Sequence, residues 1–136
     1  SASLINNLIT GKFPALPDLY FTVVDVRDVA KLHVQSLRNS GSDNKRIIAT
    51  SSNSIAFLEI SKILREFGFD KAPKNLIPNK VINSLAPFNK EMKSTASMIK
   101  RGSYKVDISE TEFLFNWHPI PLRKTLEDMT NSLRIN

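Results

Sequence analysis

The chain has 136 residues, 41% hydrophobic and 24% charged, with a net charge of +6 and no cysteine, a profile that fits one globular domain with a single core. Lacking cysteine, it can form no disulfide scaffold, thiolate nucleophile or sulfur-ligated zinc site. The sequence has no apolar run near 18 residues and no basic-flanked leader at Ser1 to Leu8, so a cytoplasmic protein without a membrane partner is expected.

Leu4, Ile5, Leu8 and Ile9 recur at helical spacing, with Gly11 as a stop before the turn from Pro14 to Pro17. Phe21 to Val26 has the β-branched and aromatic composition of a buried strand, and Val29, Ala30, His33, Val34 and Leu37 then follow a helical period. After the polar loop Asn39 to Lys45, Arg46 to Thr50 reads as a second strand, so Phe21 to Thr50 could form a βαβ unit. Ser54 is placed to cap a helix carrying Phe57, Ile60, Ile63, Leu64 and Phe67 inward and ending at Gly68.

Pro78 and Asn79 begin another helix, with Val81, Ile82 and Leu85 inward and Pro87 as its stop. A helix is expected over Thr95 to Arg101, and Ser109 with Glu112 has the spacing of a capping box for a helix through Phe115. Pro121 opens a last amphipathic helix on Leu122, Leu126, Met129 and Leu133. The pattern predicts an α/β chain, mainly helical, with two or three short strands. So few strands cannot build an ordinary doubly wound sheet unaided.

The basic balance invites a nucleic-acid reading. Lysines and arginines are nevertheless spread from Lys12 to Arg134, and the modest cluster Lys90, Lys93, Lys100, Arg101 and Lys105 has one aromatic among it, Tyr104. A solvated basic face is the favoured expectation, with attraction to an anionic small molecule between the two. The four glycines, Gly11, Gly41, Gly68 and Gly102, permit neither G-x-G-x-x-G nor a P-loop. His33 and His118 lack partners at metal-ligand spacing. His33 is read as a core or interface residue on the inner face of its helix, His118 as structural, and no serine stands in a nucleophile elbow.

Asp25 and Asp28, flanking Arg27, could be imagined as an acid/base pair. The favoured reading is structural. Asp25 caps the helix that follows, Asp28 stands at its third position as in a capping box, and Arg27 ties the junction to neighbouring backbone or acids.

The stretch FTVVDVRDVAKLH resembles the signature F-x-V-D-V-R-D-V-A-x-A-H of extended short-chain dehydrogenase/reductases, nearest to the dihydroflavonol-reductase-like aldehyde and ketone reductases. LITGKFPALPDLYF, KRIIATSS, SIAFLEISKILREFGF and YKVDISETEFLFNWHPIPLRKTLEDMTNSL follow the family's order, so the resemblance spans nearly the whole chain. Two departures stand out. The usual L-G-W is Phe115-Asn116-Trp117, and the lysine expected after an aspartate–serine pair is missing, leaving Ser109-Glu110-Thr111.

The resemblance implies that residues 1–136 are the C-terminal substrate-binding portion of an extended Rossmann-type reductase, without the N-terminal dinucleotide-binding portion. NADP or NAD would be bound mainly by that missing portion, and the partner would be a small-molecule carbonyl substrate. By position in the family, Leu4, Leu8 and Thr22 would line the substrate pocket, and Leu4 and Leu8 could equally be core. Tyr20 is followed four residues later by Val24, and Tyr104 by Ile108, so Tyr-x-x-x-Lys is missing and no residue here is expected to be catalytic. Three alternatives stay open: a free-standing binding or interaction module derived from such a reductase, a basic nucleic-acid binder, or part of a sugar-nucleotide epimerase or dehydratase.

Overall fold

A computed structural model describes residues 2–134. The apolar spacing at the start forms helix α1 (Ala2–Ile9), which Gly11 ends in the left-handed region at φ +73°. A Cβ at Gly11 would lie 3.1 Å from Cβ of Lys71, so the turn also needs glycine for space. Strand β1 (Tyr20–Phe21) and helix α2 (Val26–Ser36) follow, then a 3₁₀ turn at Ser40–Ser42, strand β2 (Ile55–Ala56) and helix α3 (Phe57–Glu66). The remainder is helical: α4 (Asn79–Leu85), α5 (Lys90–Arg101), α6 (Ser109–Phe115) and α7 (Leu122–Arg134).

The fold is therefore α/β and mainly helical, with one two-stranded sheet among the described residues. β1 and β2 are antiparallel, Tyr20 opposite Ala56 and Phe21 opposite Ile55, so the βαβ unit imagined over Phe21 to Thr50 does not form. Arg46 to Thr50 forms no strand and has no regular secondary structure. Ile48 bonds through both backbone groups to the Thr111 hydroxyl, N–H to Oγ1 at 3.3 Å and C=O from Oγ1 at 2.9 Å, which occupies the positions a ladder would use. Of the strand expected over Phe21 to Val26, only Phe21 is in β1 and Val26 already begins α2; the chain between has no ladder and is held to Ser51 by Val23 N–H to Oγ at 3.0 Å and Ser51 N–H to Val23 O at 2.9 Å.

Two apolar clusters result. The larger joins α1 and α3 through Ile5, Leu8, Leu16, Phe57, Ile60 and Leu64, closed by Leu126 of α7. Each leucine buried there stabilises the fold by roughly 1.5–3 kcal/mol relative to exposure. The smaller packs Leu32 of α2 against Ile108, Phe115 and Trp117. The Phe21–Val24 segment passes between them, Phe21 packing on the first and Val24 on the second.

Several local expectations are corrected. Ser54 does not cap α3, whose N-cap is Ala56 without a side-chain bond; its hydroxyl accepts Tyr104 N–H at 2.8 Å instead. The β1–β2 pairing accounts for this by setting the helix start at Phe57, whose N–H donates to Leu19 O at 2.8 Å. Ser109 and Glu112 form no capping box: Ser109 is the first helical residue, and its N–H is taken by Asp107 Oδ1 at 3.0 Å. α5 begins well before Thr95 because Asn89 caps it through Glu91 N and Met92 N. In α4 only Ile82 turns inward, with Val81 and Leu85 about half exposed at 47% and 48%.

The helix after the signature has the expected period but a different rotation. α2 buries Asp28 and Leu32, whereas His33, Val34 and Leu37 are exposed. His33 is thus not a core histidine; its Nδ1 lies 2.7 Å from Val29 O one turn back.

Candidate functional site

The signature junction is a polar clamp. Asp25 caps α2 by accepting Arg27 N–H at 2.9 Å, and its carboxylate also takes Arg27 Nε at 2.9 Å, Arg27 Nη2 at 2.6 Å and the Thr125 hydroxyl of α7 at 2.7 Å. The Arg27 guanidinium, above all, holds this buried carboxyl well below the usual range; desolvation opposes the shift, and the Arg27 N–H and the Thr125 hydroxyl reinforce it. Arg27 extends the clamp to Asp128 at 2.8 Å, and Lys124 meets the other oxygen of Asp128 at 2.7 Å.

Asp28 behaves differently from the capping-box expectation. It is buried, and Oδ2 accepts Ile120 N–H at 2.7 Å, fastening α2 to the turn before α7 rather than closing on its own helix. Asp25 thus caps α2, Arg27 bridges Asp25 and Asp128, and Asp28 bonds the backbone of Ile120. The sequence did not disclose their partners Thr125, Asp128 and Ile120, which lie about a hundred residues away and form no motif with them.

Beside the clamp lies a groove of about 790 Å³, walled by Leu4 and Ile5 of α1, Phe21, the stretch from Val23 to Arg27, Val29 and one face of α7. Phe21 is braced edge-on against Phe57, ring centroids 5.4 Å apart at 89°. Of the three pocket residues expected from the sequence, Leu4 lines this groove and is 37% exposed. Leu8 is wholly buried in the larger cluster, one turn behind Leu4, and Thr22 is half-buried next to Phe21. A second hollow of about 270 Å³ shares Asp25 and Thr125 with the groove and is also bounded by Ser51, Asn53 and Ser54.

The groove can hold an apolar molecule, but its wall offers no group suited to proton transfer near neutrality. Asp25 is held ionised and its lone pairs are engaged, Asp128 is lowered by Lys124 and then Arg27, and neither histidine lies on the wall. Among the described residues no group of three or more His, Cys, Asp or Glu could hold a metal. A dinucleotide does not fit these residues either. No glycine-rich turn leads into α2, and a carboxylate, Asp25, already occupies the N-terminus where a pyrophosphate would need free N–H groups.

The sequence matches no protein-family model and no curated protein. Solved structures do match. The crystal structure of gox2253 superposes with a TM-score of 0.79 at 16% identity, over 98% of this chain and 43% of that one. Gre2 from Candida albicans gives a TM-score of 0.68 at 20% identity, over 98% of this chain and 36% of that one. At these identities the likeness shows a shared fold. This chain spans less than half the length of either protein.

Proposed function

We propose that this chain is the substrate-binding portion of an NAD(P)H-dependent reductase of an aldehyde, ketone or dihydroflavonol-like carbonyl, not catalytically competent alone. The observation that carries the reading is the apolar groove beside the signature junction, in a chain that superposes over nearly its whole length on less than half of two larger structures. Leu4 would contact the substrate, Leu8 would hold Leu4 in place from behind, and Thr22 would offer its hydroxyl at the rim of the Phe21 wall. NADP or NAD, and the acid that protonates the carbonyl oxygen, belong on this reading to a Rossmann portion outside these 136 residues.

An NMR titration with a hydrophobic aldehyde, a ketone and a flavanonol tests the pocket. Shifts should cluster at Leu4, Phe21 and Thr22, and Leu4→Asp should weaken binding by about tenfold or more. Shifts elsewhere, or none, remove the groove from the proposal. Sequencing upstream of the coding region tests the parent enzyme. A glycine-rich turn and a Tyr-x-x-x-Lys motif are expected, and the lack of both would leave the free-standing module as the better reading.

A further inference from the structure

Residues 71–105 carry seven lysines and one arginine against a single acid, Glu91, a net +7 that exceeds the +6 of the whole chain. The rest of the molecule is close to neutral. Among the described residues no ion pair reaches any of these eight cations, because every pair that forms lies outside the segment. Arg101 only stacks over the Tyr104 ring, 5.9 Å from its centroid.

The same segment exposes apolar side chains at one tip. α4 and α5 pack against each other as a helical hairpin. Val81 and Leu85, one turn apart on α4, are 47% and 48% exposed, and Phe88 in the connecting turn is 89% exposed. Lys80 borders them on α4, while Lys90 and Lys93, also exposed, stand on the first turn of α5 immediately beyond Phe88. Bulky apolar groups at a turn, ringed by unpaired lysines, are the arrangement that enters the boundary between lipid headgroups and acyl chains while its cations meet anionic headgroups.

We infer that the α4–α5 hairpin is a peripheral docking surface for an anionic lipid bilayer. The charge is complementary to that surface, and the tip is mainly aliphatic with one aromatic, which suits acyl chains better than the stacked bases of a single-stranded nucleic acid. No helix among the described residues is long and apolar enough to span a bilayer, so the contact lies on the membrane. The expectation of no membrane partner rests on the lack of a spanning apolar run and of a basic-flanked leader, and neither feature bears on a peripheral contact. The inference is independent of the carbonyl groove, which lies at α1, the signature junction and α7.

Co-sedimentation of the protein with phosphatidylcholine vesicles, with and without phosphatidylserine, tests it. Binding is expected only with phosphatidylserine, and it should weaken as salt rises. Lys90→Ala and Lys93→Ala should each cost about fivefold, and Leu85→Ser with Phe88→Ser about tenfold or more. All four side chains are exposed, and an unchanged thermal melt shows that the fold survives. The proposal is overturned by no binding to phosphatidylserine vesicles at low salt, by binding indifferent to Leu85→Ser with Phe88→Ser, or by a single-stranded RNA competitor that binds more tightly through the same lysines.

Discussion

Asp25 accepts four hydrogen bonds in a site only 3% exposed, and three of the donors belong to Arg27, two residues along the chain. Replacing it with asparagine keeps the shape but removes the charge that answers the guanidinium and leaves an N–H₂ group where acceptors are needed. Asp25→Asn should therefore cost about 2–4 kcal/mol in urea unfolding at neutral pH. The pH dependence follows from the direction of the shift. A carboxyl held below its unfolded value contributes stability that is complete above about pH 5 and is lost as pH falls through the unfolded value and below. The wild-type protein should lose stability steeply on that acid limb, and Asp25→Asn should flatten it. A variant with the same acid slope as the wild type would show that Asp128, Glu66 and Asp107, whose carboxyls are also lowered, set the limb instead.

At the scale of the element, signals carried within a few residues could be read from sequence. Asn116 ends α6 in the left-handed region at φ 44°, ψ 50°, as the Phe115-Asn116-Trp117 departure implies. Asn116→Ala should cost about 1 kcal/mol by chemical denaturation, and Asn116→Gly should be neutral or slightly stabilising. Signals that depended on where a helix begins were misread, because a strand pairing or a distant loop decided the matter. Ser54 looks like a cap in one dimension, yet it holds Tyr104, fifty residues away. Ser54→Ala should then speed amide hydrogen exchange at Tyr104 and leave the first turn of α3 unchanged; the reverse pattern would restore the cap. The candidate site was legible to a similar degree: the clamp residues stood in a local motif, while their α7 partners and the groove they border arise only from packing.

For the whole molecule, the rotation of α2 matters most. Its apolar period is visible in the sequence, but a period marks a face without saying what covers it. Asp25 and Asp28 fix the rotation by bonding Thr125 and Ile120 N–H, and this turns Val34 and Leu37 outward at 52% and 88% exposure, with Val26 at 77%. If the chain is part of a larger reductase, the remainder of that protein is the natural cover for this face, and the chain alone leaves it wet. The 136-residue protein should then bind a hydrophobic dye and self-associate at high concentration in light scattering. Val34→Lys with Leu37→Lys should reduce both while leaving the melting temperature unchanged, since neither side chain supports the core of the isolated chain. A drop in melting temperature would mean that these residues pack within the chain, and the face would then require no cover.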